Sequence, residues 1–176
     1  ATIEVPMHET MAAFVLQEHL GPATFDPPLG PPGDRRVLDP NARPIATQDG
    51  WIAITANTDA QAKTFLRAVG RADLIDDPRF SSVAARVKNS SAWYRLREES
   101  IASGTTAHWL KVFAALDIPA MPCHALASIA DDPHLTAVKL VEPAMHPTEG
   151  SVKNVRPTLL FDGEAPKSES PAKPLG

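Results

Sequence analysis

The chain has 176 residues, of which 43% are hydrophobic, and a domain of this size can bury one substantial core. Its net charge is −4 and its basic residues form no cluster, which excludes the electrostatic footprint of a nucleic-acid partner. A single cysteine, Cys123, excludes an internal disulfide, and without a signal-peptide pattern or a run of about 20 apolar residues we expect a cytoplasmic protein with no membrane partner.

The first 44 residues are predicted to be a linker helix followed by a proline-rich arm. Met7, Met11 and Phe14 recur at helical spacing over about residues 4–19, and a Gly-Pro pair ends the run. The neighbouring residues offer this apolar stripe little to pack against, so we expect it to lie on a partner or on another domain. Seven of the 18 prolines follow this helix, where fixed φ angles and missing amide donors favour an extended, semi-rigid chain.

Residues 45–160 are predicted to form one small α+β domain, which opens with a strand and a helix. Residues 51–55 alternate like a short strand and follow an Asp-Gly turn. Thr58 and Gln61 have the spacing of a capping box, in which each side chain binds the backbone amide of the other residue at the start of a helix. Gly70 is expected to end this helix.

The rest of the domain combines further helices with extended segments. One helix is expected over about residues 82–103, and another follows Thr105, which can cap it. Residues 138–145 and 152–157 are predicted to be two strands joined by a turn. The predicted fold class is therefore α+β, with a small antiparallel sheet of about three strands packed by helices. Residues 161–176 are predicted to be a linker that leads out of this domain.

The polar residues on their own indicate no catalytic or metal site. No two of the six histidines have the i, i+4 spacing of a metal pair on a helix. Cys123 and His124 are adjacent, so in a strand their side chains would lie on opposite faces and could not act together. The chain has no glycine-rich phosphate loop and no Gly-x-Ser-x-Gly element. We therefore expect no metal, no resident cofactor and no catalytic residue in this chain.

Several short motifs occur in the same order as in one known enzyme family. They are Pro-Met-His-Glu around Met7, Arg-Pro-Ile-Ala-Thr-Gln-Asp-Gly from Arg43 to Gly50, Asp77-Pro-Arg-Phe80 with Arg86 and Asn89, Ile118-Pro-Ala-Met-Pro122, Asp132-Pro-His134, and the final Pro174-Leu-Gly176. As a set they resemble family III CoA-transferases, the group that contains formyl-CoA transferase, carnitine CoA-transferase and α-methylacyl-CoA racemase.

The resemblance implies that the chain is the small domain and linkers of a larger enzyme. Members of this family have a Rossmann-like large domain formed by both chain ends, an inserted small domain, and two interlocked subunits that make a homodimer. Their transferases move coenzyme A between an acyl-CoA and a carboxylic acid through an aspartyl-CoA intermediate, so coenzyme A is a substrate carrier. The nucleophilic aspartate lies upstream of the first helix, and this chain alone is therefore expected to be inactive.

The resemblance also implies which residues lie near the acyl group. Family members place a loop there, at about residues 38–47 of this chain, and the expected pocket neighbours are Met7, Asn41, Arg43 and Ile45. The loop lacks the glycine run of formyl-CoA transferase, which disfavours formyl transfer. Two alternatives stay open. One is a 2-methylacyl-CoA racemase of the same family, which would move an α-proton, and the other is a non-catalytic module that binds a partner.

Overall fold

The computed structural model describes residue 2 and residues 4–166. The chain separates into two compact units, the first reaching Cys123 and the second beginning at His124. The described part contains seven α-helices and two small antiparallel sheets, which confirms the predicted α+β class. None of these helices has the length and apolarity of a membrane span. The predicted domain limits stay a prediction, and residues 167–176 of the expected return linker, with the Pro-Leu-Gly motif, lie outside the described residues.

The first unit contributes six of the described helices and a three-stranded sheet. The helices are α1 (Met7–His19), α2 (Arg35–Leu38), α3 (Asp59–Ala68), α4 (Val83–Lys88), α5 (Ser90–Ile101) and α6 (Thr106–Ala115). The strands are β1 (Ile45–Ala46), β2 (Trp51–Ile54) and β3 (Ala120–Pro122). Strand β2 lies in the middle and pairs antiparallel with both neighbours, so that Ile52 is opposite Ile45 on one side and Pro122 on the other.

Helix α1 begins later than expected and leaves its apolar side chains uncovered within its unit. It starts after Pro6, whose ψ of 122° is extended, rather than at residue 4. Met7 is 85% exposed and Phe14 is 71% exposed. Gly21 follows with a φ of +49°, a left-handed conformation that glycine adopts readily. The proline-rich arm is not extended throughout, because it contains a 3-10 turn at Gly21–Thr24 and helix α2.

The core of the first unit is built by the sheet together with α3, α5 and α6. Ile52 and Ile54 of β2 are buried and alternate with exposed residues, as the predicted strand pattern requires. The Phe65 ring lies 5.7 Å from Trp93 and 6.0 Å from Phe113, measured between ring centroids. Burial of each such aromatic side chain stabilises the fold by about 1.5–3 kcal/mol, so this cluster fastens the three helices to one another.

Side-chain caps start two helices where the sequence predicted them. The Thr58 hydroxyl accepts from the Gln61 amide at 3.1 Å, and the Gln61 side chain accepts from the Thr58 amide at 3.3 Å. The Thr105 hydroxyl accepts from the His108 amide at 3.2 Å at the start of α6. The single helix expected over residues 82–103 is instead two helices, because Asn89 has a φ of −113° and a ψ of 35° between α4 and α5.

The second unit, in its described residues, has one α-helix and one β-hairpin. Helix α7 (Pro133–Ala137) is capped by Asp132, whose Oδ1 accepts from the amides of His134 and Leu135, each at 2.9 Å. Strands β4 (Val141–His146) and β5 (Gly150–Val155) pair antiparallel along their whole length. The strand expected from residue 138 begins later, because α7 extends to Ala137. The predicted strands are therefore divided between two sheets.

Candidate functional site

Three of the four expected pocket neighbours line one cleft of the first unit. The cleft has a volume of about 270 Å³. Its walls are Asn41, Ala42, Arg43, Pro44, Ile45, Ala53, Ile54, Tyr94, Arg97 and Glu98. Met7, in the first turn of α1, is not among the residues that line it. The structure thus brings Asn41, Arg43 and Ile45 together, while a position of all four near an acyl group stays a prediction.

Asp39 anchors the loop that carries these residues. Its Oδ1 accepts the backbone amide of Asn41 at 2.9 Å and the side-chain amide of Asn41 at 3.0 Å. Its Oδ2 accepts the hydroxyls of Ser90 at 2.8 Å and Ser91 at 2.6 Å. Burial alone would raise the pKa of the Asp39 carboxyl, but these hydrogen bonds outweigh it and hold the pKa at about 2. The carboxylate is therefore ionised at neutral pH and ties the loop to the first turn of α5.

Arg43 occupies the solvent side of the cleft. Its Nη2 donates to Glu98 Oε1 at 3.0 Å, and its side chain is 57% exposed. An ion pair this exposed contributes at most about 1 kcal/mol to stability. A guanidinium has five N–H donors, so Arg43 can contact an anionic group without being removed from water. The cleft thus presents a reachable positive charge beside the apolar side chain of Ile45.

Arg97 is the buried charge of the cleft, with 9% of its surface exposed. Its Nη2 donates to the Ile54 carbonyl at 2.6 Å, and its Cζ lies 5.4 Å from the centroid of the Tyr94 ring. Its Nε is buried without a hydrogen-bond partner among the residues described. Burial lowers the pKa of the guanidinium to about 10, which still leaves it protonated at neutral pH. Arg97 is therefore a desolvated cation, and none of the ion pairs found in the described structure includes it.

Arg86, the other buried arginine, makes three hydrogen bonds to protein groups. Its Nη1 donates to the Phe80 carbonyl at 2.9 Å. Its Nη2 donates to the Asn57 carbonyl and to Asp59 Oδ1, each at 2.9 Å. These bonds fasten α4 to the segment that leads into α3. Sequence reasoning noted Arg86 only as part of a motif, without this role.

Arg97 is not among the residues predicted from the sequence, although its spacing on a helix could have indicated it. Trp93, Arg97 and Ile101 lie at i, i+4 and i+8 of α5, and all three are buried. Residues at this spacing share one face of a helix. An arginine on an otherwise apolar face therefore indicates a buried charge that needs a partner.

Other reactive side chains are not arranged for catalysis or metal binding in the part of the chain that the structure describes. Burial raises the pKa of the Cys123 thiol, which keeps it protonated at neutral pH. His124 Nε2 lies 3.0 Å from Asp132 Oδ2, the same carboxylate that caps α7. No group of three or more histidine, cysteine, aspartate or glutamate side chains is placed to hold a metal ion among these residues.

Fold and cleft together define a protein of the α+β class with an arginine-lined cleft on its first unit. A family model of CoA-transferase family III matches residues 1–176, and the chain belongs to that family. The resemblance found in the motifs is thereby confirmed.

Comparisons with individual proteins agree with this membership. The chain is 26% identical over 129 residues to the succinyl-CoA:glutarate CoA-transferase of Mus musculus, covering 73% of this chain and 29% of that protein. It is 30% identical over 112 residues to the formyl-CoA:oxalate CoA-transferase of Streptomyces avermitilis, covering 62% and 27%. A crystal structure of a CAIB/BAIF family protein from Brucella suis aligns over 96% of this chain and 41% of that chain, with a TM-score of 0.58 and 21% identity, and shows a common fold.

The chain spans 26% to 36% of the length of three of its curated relatives, the mouse and human succinyl-CoA:glutarate CoA-transferases and a probable fatty acyl-CoA transferase of Mycobacterium tuberculosis. These names support a CoA-transferase kind of function. That formyl transfer is disfavoured stays a prediction.

Proposed function

We propose that this chain supplies the small domain and linkers of an acyl-CoA transferase, an enzyme that moves coenzyme A between an acyl-CoA and a carboxylic acid. The observation that carries the proposal is the family match over residues 1–176. The relatives support it, because those matched are themselves named as CoA-transferases.

The covalent step in this proposal belongs to an aspartate outside the chain. Its carboxylate attacks the thioester carbonyl of the acyl-CoA, which forms a mixed anhydride and releases the CoA thiolate. The thiolate then attacks the aspartyl carbonyl, which forms the aspartyl-CoA thioester and releases the first acid. An acceptor carboxylate reverses both steps and leaves as the new acyl-CoA. The aspartate carboxylate thus returns to its starting state after each turnover.

Two aspartates of the described first unit, Asp39 and Asp77, are poorly suited to that nucleophilic role. Asp39 already accepts four hydrogen bonds, and its lowered pKa reflects them. Hydrogen bonds from the Arg79 side chain and amide hold the pKa of Asp77 at about 2. A carboxylate stabilised in this way is a weaker nucleophile, because the same donors must be lost as its charge is consumed. Asp39 and Asp77 are therefore poor candidates for the nucleophile.

The part we assign to this chain is a wall of the acyl pocket. Ile45 is 5% exposed and offers an apolar edge to the cleft. Arg43 offers an exposed positive charge that can attract the carboxylate of either acid. Asp39 holds the connecting loop in place. Coenzyme A acts as a substrate carrier here, and the proposal includes no metal or resident cofactor.

We also propose that the enzyme is a cytoplasmic homodimer in which the apolar side of α1 is covered. Met7, Met11 and Phe14 are 60% to 85% exposed within the first unit. Contiguous apolar side chains of this kind mark interaction surfaces. A non-catalytic interaction module would also use this helix, so the surface supports association and does not by itself favour the enzyme.

Hydroxylamine trapping in the complete protein that carries this chain tests the proposed chemistry. With an acyl-CoA present, hydroxylamine should convert the anhydride or thioester into a hydroxamate on an aspartate outside residues 1–176. The isolated chain should form no hydroxamate and exchange no CoA. Exchange of the α-proton with deuterated water, without CoA exchange, would identify the racemase and contradict transfer. Turnover by the isolated chain would contradict the placement of the nucleophile.

A further inference from the structure

A second cavity of the first unit is smaller, about 50 Å³, and is lined by residues of α2, α4 and α5 and of the segment after β2. Three of its lining residues are the arginines Arg36, Arg86 and Arg97. No aspartate or glutamate is among the residues that line it. Arginines on three helices therefore meet around a space that contains no carboxylate.

The charge around this cavity is not balanced by the residues described. Arg36 forms an ion pair with Asp34, and Arg86 forms one with Asp59. Both carboxylates lie outside the lining, and Arg97 has no such partner. A buried cation without an anion is costly to fold, and buried charges are normally paired. One positive charge at the cavity thus lacks a counterion.

Arg97 also has hydrogen-bond donors left over. One donor of its five is used on the Ile54 carbonyl, and the buried Nε donates to nothing in the described structure. Tyr94, whose ring lies beside the guanidinium, donates its own hydroxyl to the Arg36 carbonyl at 3.2 Å. The tyrosine therefore holds the arginines of α2 and α5 near each other without satisfying either guanidinium.

Asp39 does not supply the missing counterion. It contacts Ser90, a cavity residue in the first turn of α5. Both of its carboxylate oxygens already accept hydrogen bonds from the hydroxyls of Ser90 and Ser91 and from the two amides of Asn41. It is not among the lining residues. The unbalanced charge at the cavity is therefore that of the Arg97 guanidinium.

We propose that this cavity binds a tetrahedral oxyanion, a phosphoryl group, between the guanidinium groups of Arg97, Arg86 and Arg36. The planar fork of arginine matches the oxygens of phosphate and makes paired, charge-assisted hydrogen bonds to them. The volume of about 50 Å³ suits one such group and cannot enclose a whole nucleotide. Arg97 and Tyr94 also line the larger cleft, so this site adjoins the proposed acyl pocket, but its existence does not depend on CoA transfer.

Titration of the 176-residue chain with inorganic phosphate, followed by NMR at constant ionic strength, tests this site. The Nε–H signal of Arg97 should shift saturably with phosphate and should not respond to chloride. Arg97→Gln should weaken phosphate binding by about tenfold or more, because it removes the unpaired charge and its donors. Arg97→Lys keeps the positive charge without the planar guanidinium, and its affinity for phosphate should lie between those of the wild type and Arg97→Gln. Arg95→Gln, exposed on the same helix, should leave binding unchanged.

Each remaining outcome has a defined meaning. Methyl phosphate that competes as well as phosphate supports a phosphate ester as the natural source, and phosphate binding without methyl phosphate binding supports the free ion. Acetate that binds as tightly as phosphate would overturn the phosphoryl assignment. A wild-type Arg97 signal that ignores phosphate, or an equal loss of affinity in Arg95→Gln, would overturn the site. The wild-type titration decides even if Arg97→Gln fails to fold.

Discussion

Arg86→Met is expected to lower the free energy of unfolding by about 3 kcal/mol. The substitution leaves the buried Phe80 carbonyl without its donor and also removes the bonds to the Asn57 carbonyl and the Asp59 carboxylate. Methionine has a similar length and is apolar, so the loss reports the polar contacts and not a large cavity. Urea denaturation at neutral pH, followed by circular dichroism, measures the change.

Arg95→Met is the matched control for this substitution. Arg95 is exposed on α5, and its replacement should change the free energy of unfolding by less than about 0.5 kcal/mol. Similar losses in the two variants would mean that the contacts of Arg86 contribute nothing beyond the removal of a charge.

Gly104→Ala is expected to lower the free energy of unfolding by about 2–3 kcal/mol. A Cβ at this position would overlap Nε1 of Trp109 and would lie 2.8 Å from its Cε2. The indole cannot move away easily, because it is buried, stacks on Phe113 at 5.5 Å and donates from Nε1 to the Ile101 carbonyl at 2.8 Å. Thermal or urea unfolding of the variant measures this cost.

A double-mutant cycle with Trp109→Phe isolates the clash. Phenylalanine lacks the pyrrole ring that carries the overlapping nitrogen, so Gly104→Ala should cost less in the Trp109→Phe background than in the wild type. An equal cost in both backgrounds would show that the alanine acts through the backbone of the turn and not through the indole.

Local signals in the sequence were enough to predict where helices α3 and α6 begin. The hydroxyl caps of Thr58 and Thr105 act on amides three residues away, so the interaction is contained in a short window. The break at Asn89 could not be predicted in this way. There the hydroxyls of Ser90 and Ser91 bind Asp39, a partner about fifty residues away in sequence.

The candidate site likewise depends partly on local sequence signals and partly on contacts between residues distant in sequence. The loop with Asn41, Arg43 and Ile45 was predicted from a motif that resembles a family, and such a resemblance carries information about a position in the fold. The opposite wall comes from α5, and sequence spacing does not show which loop α5 will face. Arg97 was therefore overlooked, although its position on the buried side of α5 could have marked it as a charge in need of a partner.

Steady-state kinetics of Arg43→Gln in the complete enzyme test most directly the claim that this chain forms a wall of the acyl pocket. We predict that kcat/KM for the carboxylic acid falls about tenfold, because the variant loses the exposed charge of the cleft. Arg71→Gln is the matched control, since Arg71 is also exposed, pairs with Asp73 at 3.1 Å and lies outside the cleft, and it should keep wild-type kinetics. Wild-type kcat/KM in Arg43→Gln, or an equal fall in Arg71→Gln, would contradict the claim.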